Sequence, residues 1–425
     1  MGGRRPLAGL AMNGVARSAR CRFCNSLLSH SLIDLGETPL ANAYAAPENL
    51  SRPDAVYPLH VRVCGNCFLA QVDTAVPAQE IFSDYAYFSS YAASWVEHAR
   101  RYAQEMIARF SLNGASKVIE VASNDGYLLR HFAEAGIPVL GVEPAANVAA
   151  AAVALGIPTE IAFFGAGTAR RLKAQGHLAD LMAANNVLAH VPDLNDFVAG
   201  LGIVLKWKGV LTAEFPHLLR LMEETQFDTI YHEHYSYFSL ASLERILAAH
   251  RLRVFDVERL STHGGSLRVY ICHAAAAHEA GAALRDLRAE EKAAGIERLE
   301  TYQGFAARVD RVKAALLDFL HDAKRQGKKV AAYGAAAKGN TLLNFCGVSR
   351  SDIDFAVDRN PHKQGRYLPG SRIPVLAPEA LFEAKPDYVL ILPWNLAEEI
   401  RKDMAGIAQW GGKFVTPIPT LRIWE

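Results

Sequence analysis

The stretch Lys117-Val-Ile-Glu-Val-Ala-Ser-Asn-Asp-Gly-Tyr-Leu-Leu129 decides the fold class of this chain. A short apolar run of strand length enters a turn of small and polar residues, and a helical pattern follows, which is the opening of a βαβ unit. The next strand, Pro138-Val-Leu-Gly-Val-Glu-Pro144, puts Glu143 23 residues after Glu120. A carboxylate at the C-terminal edge of that strand can accept both hydroxyls of a ribose.

The turn lacks the three glycines of a dinucleotide fingerprint. Ala122 and Asn124 stand where glycines often lie, and Gly126 remains. This disfavours a pyrophosphate and suits a ligand without phosphate at that end, adenosylmethionine, whose amino-acid end Asn124 and Asp125 can meet. Further on, Ala179-Asp-Leu-Met-Ala-Ala-Asn-Asn-Val-Leu-Ala-His190 reads as a fourth strand running into a loop. Asn185, Asn186 and His190 then sit at the strand edge where ligands gather, although His190 could equally decorate the turn Val191-Pro-Asp193. Phe163-Phe164 suits either an adenine or core packing.

Outward from this unit, six cysteines divide the chain. Cys21-Arg-Phe-Cys24 and Cys64-Gly-Asn-Cys67 are two C-x-x-C pairs separated by 39 residues. Each turn aims two thiolates at one point, and two turns complete a closed tetrahedral sulfur shell, the arrangement of a structural zinc. Gly36, Pro39, Pro47, Pro53 and Pro58 break the insert into short strands and turns. Cys272 and Cys346 read as packed thiols.

Beyond the first unit, Ile230-Tyr-His-Glu-His-Tyr-Ser-Tyr-Phe238 crowds two histidines, a glutamate and three tyrosines into a short span. It is not H-E-x-x-H, because two residues of helix would splay His232 and His234 by about 200°. On a strand the two histidines share a face, whereas an irregular loop could turn all of residues 231–235 inward. Histidine is suited to removing a weakly acidic C–H near neutral pH, with a neighbouring carboxylate to orient it and tyrosine hydroxyls to hold an enolate oxygen. Asp84-Tyr-Ala-Tyr-Phe-Ser-Ser-Tyr91 is a second aromatic run, fit for a site or for packing between domains.

Toward the C-terminus, Leu299, Tyr302, Phe305, Val309, Val312, Leu316 and Leu320 recur at helical steps and predict one long amphipathic helix. Lys329-Val-Ala-Ala-Tyr-Gly-Ala-Ala-Ala-Lys-Gly-Asn-Thr341 again reads strand, small-residue turn, helix. It places Lys338 and Asn340 where phosphate can bind, or serves as a scaffold without ligand. Strands at Ile353-Asp-Phe-Ala-Val-Asp358 and Tyr388-Val-Leu-Ile-Leu392 complete a second Rossmann-like unit, with Lys363-Gln-Gly-Arg366 on a loop between them.

The fold class is therefore α/β: an N-terminal zinc-binding module, a central Rossmann-like domain suited to adenosylmethionine and a second Rossmann-like domain. The expected divisions are 1–80, 81–275 and 276–425. The length, 425 residues, accommodates them, and 51% apolar against 21% charged residues excludes disordered and low-complexity classes. Forty-five basic against 44 acidic side chains leave +1, too little to gather nucleic acid or anionic lipid by long-range field. The longest apolar runs fall well short of the roughly 20 residues of a spanning helix, and no signal-peptide core precedes a cleavage site. A cytoplasmic protein without membrane or nucleic-acid partner is expected. Arg4, Arg5, Arg17, Arg20 and Arg22 precede any acid and mark a disordered basic tail with a weak likeness to a transit sequence.

Several motifs combine into one signature: the two cysteine pairs, Asp34-Leu-Gly-Glu-Thr-Pro-Leu-Ala-Asn42, Tyr85-Ala-Tyr-Phe-Ser-Ser, Glu120-Val-Ala-Ser-Asn-Asp-Gly126, Tyr231-His-Glu-His-Tyr-Ser-Tyr and Gly334-Ala-Ala-Ala-Lys-Gly-Asn. From Cys21 to Trp424 the chain resembles the zinc-containing, adenosylmethionine-dependent C-methyltransferases that act on nucleotide-linked ketosugars in deoxysugar biosynthesis. The resemblance gives His234 the role of general base, supported by Tyr231 and Glu233, and matches Tyr85 and His190 to the family's other active-site positions. It implies substrate contacts from Tyr85, His190, Tyr231, Lys338 and Asn340, and a cofactor site at Glu120, Ala122, Asn124, Asp125, Gly126, Glu143, Asn185 and Asn186. The implied reaction is methylation at C-3 of a 4-ketosugar whose nucleotide, dTDP among the candidates, stays open. Methylation at C-5 and a non-enzymatic nucleotide-sensing scaffold are the alternatives, and the oligomeric state is left undecided.

Overall fold

The computed structural model describes residues 19–73, 76–77, 89–91 and 93–425, apart from the side chains of 91, 93 and 94. Tyr85, most of the aromatic run 84–91, the basic tail before residue 19 and the expected boundary at residue 80 lie outside the described residues. No helix among them is long and apolar enough to cross a membrane.

The N-terminal strands β1 (His30–Pro39), β2 (Val56–Val63) and β3 (Ala70–Val72) form antiparallel pairs. The central region adds β4 (Val118–Val121), β5 (Val139–Val142), β6 (Thr159–Glu160), β7 (Ala179–Asn185) and β8 (Leu205–Pro216), then β9 (Ser236–Tyr237), β10 (Leu252–Leu260) and β11 (Ser266–His273). All but β9 make one seven-stranded sheet in the order β10-β11-β8-β7-β4-β5-β6, in which β11 alone runs against its neighbours. All four residues of β4 and of β5 are buried, as expected of parallel strands covered on both faces. The order reverses between β4 and β7, so a crevice opens at their C-terminal ends.

The turn after β4 explains its unusual composition. Ala122, Asn124 and Gly126 all have positive φ (57°, 50° and 79°), so two non-glycine residues adopt the conformation that glycine would supply. Two acceptors hold them there: Val142 O receives the Ala122 N–H at 2.8 Å, and Glu143 receives that of Asn124 at 3.0 Å. At Gly126 a Cβ would also lie 3.2 Å from Ile157 and 3.3 Å from Ala152, so this position needs glycine for both conformation and space.

The C-terminal region builds a second sheet from β12 (Val330–Tyr333), β13 (Ala356–Val357), β14 (Val375–Leu376), β15 (Tyr388–Ile391), β16 (Lys413–Thr416) and β17 (Arg422–Trp424). Its order, β14-β13-β12-β15-β16-β17, is parallel except for β17 and reverses between β12 and β15. The expected strand at 353–358 is reduced to β13. The single long helix expected from Leu299 is in fact a 3-10 turn, Leu299–Tyr302, followed by the helix Phe305–Arg325. Gly304 separates them at φ 77°, a left-handed residue that no continuous helix accommodates. Val309, Val312, Leu316 and Leu320 of that helix share one core with Leu32, Val61 and Tyr237 from the first sheet, so the regions are packed together.

The four paired cysteines bring their sulfurs within 4.8 Å of one another. Separations of 3.4 Å (Cys24–Cys64), 3.5 Å (Cys21–Cys67) and 3.7 Å (Cys24–Cys67) are far too long for disulfides. They match the edge of about 3.8 Å of a sulfur tetrahedron drawn at ~2.3 Å around zinc. Gln71 donates an amide N–H to Cys21 Sγ at 3.2 Å and Asn66 a backbone N–H to Cys64 Sγ at 3.4 Å, the kind of outer support that thiolate ligands receive. Because β9 pairs with β3, this cluster also braces the residues just before Ser236. Cys64→Ser should abolish stoichiometric zinc in elemental analysis and lower Tm by roughly 10 °C or more. An unchanged Tm in a metal-free variant would refute a structural role for the metal.

Candidate active site

The crevices of the two larger sheets open into one cavity of about 1260 Å³. Ala122, Asn124, Glu143, Asn185 and Asn186 line it from the central sheet, Lys338 and Asn395 from the C-terminal sheet, and Asn42 and Tyr44 from the loop after β1. Residues Tyr231, Glu233, His234 and His190 lie on its wall between them.

The aromatic segment is neither helix nor strand before β9. Its backbone turns at Tyr231, whose carbonyl receives the His234 N–H at 2.9 Å, and is tied back by Tyr235 N–H to Ala189 O at 2.7 Å. Consequently the five residues do not all face inward. His232 points to the first sheet, with Nε2 3.2 Å from the carbonyls of Tyr57 and Pro58, and Tyr235 donates its hydroxyl to Val76 O at 2.5 Å. Tyr231, Glu233 and His234 alone of the five reach the cavity.

His234 Nδ1 lies 2.8 Å from Thr229 O. A carbonyl can only accept, so Nδ1 holds the proton and Nε2 presents a lone pair. Burial, reinforced by the nearby His190, holds the imidazole well below the ordinary histidine range and keeps it neutral. The Tyr231 ring lies 4.0 Å from that of His234, and the His190 ring lies 4.8 Å away on another side. His190 Nδ1 is fixed in the same way, by Glu233 O at 2.9 Å, and burial lowers this histidine to about 4. The Glu233 carboxylate accepts from Asn42 Nδ2 at 2.6 Å, and burial raises it to about 7.

On the central-sheet side, Glu143 accepts backbone N–H groups from Asn124 at 3.0 Å and Ala145 at 2.9 Å, and a carboxylate retains further lone pairs for a ligand. Asn185 Oδ1 is buried without a hydrogen-bond partner among the described residues, and Phe163 and Phe164 line the same pocket. An orphaned amide oxygen, an acidic strand end and an aromatic wall fit the polar and adenosine parts of adenosylmethionine. Three expected cofactor residues stand behind this wall rather than on it. Glu120 is buried beneath the turn, and burial, with Glu143 and Asp125 nearby, raises its carboxyl well above the usual range. Asp125 accepts the Ser90 N–H at 3.1 Å, and Gly126 is packed on Ile157. Their strand-and-turn motif put them near the ligand, but successive turn residues point in different directions.

Asn340 is likewise displaced from the expected role. Its amide donates to Ala41 O at 2.6 Å in a buried contact, two residues along the helix from Lys338, which lines the cavity. Sequence reasoning had not singled out Asn42, Tyr44, His263, His362, Lys363 or Arg366, which also reach the cavity. Asn42 ends a motif already quoted, and Lys363 and Arg366 lie on a recognised loop. His263, at φ 55° before Gly264-Gly265, gave no readable signal.

Three family models match in succession: a zinc binding domain over residues 21–82, a methyltransferase domain over 95–256 and a C-methyltransferase C-terminal domain over 261–419. C-methyltransferase NovU from Streptomyces niveus is 38% identical over 403 residues, covering 95% of this chain and 96% of that protein. Among solved structures, the magnesium protoporphyrin IX methyltransferase ChlM from Synechocystis PCC 6803 is 15% identical with a TM-score of 0.33, over 42% of this chain and 79% of that one. The PH0226 protein from Pyrococcus horikoshii OT3 is 13% identical with a TM-score of 0.36, over 46% and 97%. Matched through all three regions, and aligned along nearly its whole length with a C-methyltransferase, the chain belongs to the adenosylmethionine-dependent C-methyltransferases that bear an N-terminal zinc-binding module.

Proposed function

We propose that the protein methylates C-3 of a nucleotide-linked 4-keto-deoxysugar, with His234 as the base. The observation that carries this reading is the neutral imidazole of His234, its Nδ1 proton committed to Thr229 O and its Nε2 free to accept a proton. A ketone acidifies the neighbouring C–H, so a base poised in this way can generate an enolate. Tyr231 and His190 flank the base, and Glu233, held by Asn42, closes the pocket beneath it.

Adenosylmethionine, when bound, supplies the electrophilic methyl group. Glu143, Asn124, Asn185, Asn186 and the Ala122 backbone would hold it on the central-sheet side, while zinc in the cysteine cluster would brace the segment that carries Tyr231 and His234. Lys363 and Arg366, on a loop of the C-terminal domain that reaches the cavity, provide positive charge for a sugar's diphosphate, dTDP being one carrier that fits. With sugar and cofactor on opposite sides, the walls align carbon and methyl group for displacement and exclude water.

His234→Ala should lower methyl transfer about 10²–10⁴-fold, measured with labelled methyl donor and a ketosugar panel, while calorimetric affinity for adenosylmethionine stays within twofold. Near-normal turnover would remove the proposed base. Glu143→Ala should weaken adenosylmethionine binding at least tenfold, since hydrogen bonds to a charged carboxylate contribute about 1.5–3 kcal/mol.

Because a histidine base fails only where it is protonated, and burial places His234 well below its ordinary range, kcat/KM should show no histidine limb near 6.5. A limb near 7 would belong to Glu233 and should vanish in Glu233→Gln. A limb at 6.5 that survives this substitution would contradict the assignment.

A further inference from the structure

The turn Phe227–Thr229 joins His234 to a cation on a helix of the C-terminal domain. On one side, Thr229 O receives the His234 Nδ1–H. On the other, Asp228, fully buried, accepts the Trp394 indole N–H through Oδ2 at 2.7 Å, and the Trp394 ring lies 4.9 Å from Lys338 Nζ. Immediately after the turn, Ile230 O receives the Thr341 hydroxyl at 2.9 Å, which docks the helix Ala337–Cys346 one turn beyond Lys338. The loop at His263 closes the same bracket. Gln226 donates to Gly264 O at 2.6 Å, and a Cβ on Gly264 would fall 2.4 Å from the Trp394 ring, so the loop and the indole are in direct contact.

Lys338 is under-committed in this bracket. Its ammonium has three donors, and among the described residues it has one hydrogen-bond acceptor, the neutral Asn395 Oδ1 at 2.7 Å, with no carboxylate within 4.0 Å. Burial lowers Lys338 from the ordinary lysine range, Asp228 opposes this from a distance without reaching it, and Asp228 Oδ1 is itself buried without a hydrogen-bond partner among the described residues. A cation held by a carboxylate at a distance, lining the cavity with His234 and His263, retains N–H donors for an oxygen that gains negative charge.

We propose that Lys338 is a catalytic residue that hydrogen-bonds the substrate ketone and stabilises the enolate oxygen, and that Asp228 and Trp394 are positioning residues that keep it in register with His234. This rests on the reading of His234 as base. His234 Nε2 takes the α-proton, the C–H electron pair becomes the C=C bond, and the carbonyl π pair moves to the oxygen facing Lys338. When the carbon attacks the methyl group, that pair returns to form C=O, the sulfonium departs as a neutral thioether, and His234 releases its proton to solvent. The alternative duty for Lys338, holding diphosphate, suits Arg366 better, which is exposed on the more open loop, with Lys363 beside it tied to Ala335 O at 2.8 Å and Asp358 at 3.6 Å.

The test uses the zinc-loaded full chain in D2O with S-adenosylhomocysteine in place of the methyl donor, which isolates proton removal. Wash-in of deuterium next to the ketone of a dTDP-4-ketohexose is followed by mass spectrometry, and dTDP affinity by calorimetry. Lys338→Met should slow wash-in at saturating sugar about 10²–10³-fold, with dTDP affinity within threefold and a native circular dichroism spectrum. Lys338→Arg should restore part of the rate. Asp228→Asn should slow wash-in by a smaller factor at unchanged dTDP affinity. Unchanged wash-in in Lys338→Met, or a tenfold loss of dTDP affinity with normal wash-in at saturation, would overturn the proposal. Absence of wash-in in the unsubstituted protein and in His234→Ala alike would instead sink the base on which it rests.

Discussion

One hydrogen bond, from His234 Nδ1 to Thr229 O, sets the chemical character of this cavity. It fixes the tautomer, turns Nε2 outward as an acceptor and requires the chain between residues 229 and 234 to leave any regular ladder. That irregularity leaves backbone groups to be satisfied elsewhere, and the fold supplies them. Ala189 O receives Tyr235 N–H, His190 binds Glu233 O, and β9 pairs with β3 beside the cysteine cluster. The cysteine cluster, which lines no part of the cavity, thus has a mechanical connection to His234.

The cavity exists because two open α/β sheets direct their switch points at the same space. In each, strand order reverses beside a small-residue turn: Ala122–Gly126 after β4 and Gly334–Lys338 after β12. Such crevices receive ligands because diverging connections leave the strand ends uncovered. Facing two of them across one cavity leaves room for two ligands on opposite sides with their inner ends close together. The two sides differ in charge. Glu143 lies on the central side, whereas Lys338, Lys363 and Arg366 lie on the other.

Burial controls the protonation states here more than direct pairing does. It keeps His190 and His234 neutral, raises Glu233 toward 7 and Asp228 to about 6. Neutral imidazoles and reluctant carboxylates are the states in which a proton can be moved by small changes in a neighbour. In that setting a nearby charge acts strongly because little solvent screens it, and the same burial lowers Lys338 from the ordinary lysine range.

Parts whose chemistry is local were legible in the order of the amino acids. Paired C-x-x-C turns dictate a sulfur tetrahedron, strand-turn-helix patterns dictate two α/β units, and the density of polar aromatics at 230–238 marks a site. The same order also placed Glu143, Asn185, His190 and His234 at strand ends and loops where they do meet a cavity. Which neighbours in those motifs face that cavity is settled by the packing of distant elements. His232 turns away while His234 enters, Glu120 and Asp125 stand behind the wall, and Asn340 is spent on Ala41 while Lys338 projects. The choice depends on single φ/ψ values in irregular backbone and on contacts between residues more than a hundred positions apart, such as Thr341 with Ile230 and Trp394 with Asp228. Local periodicity contains no record of either, because both are set by how the sheets dock.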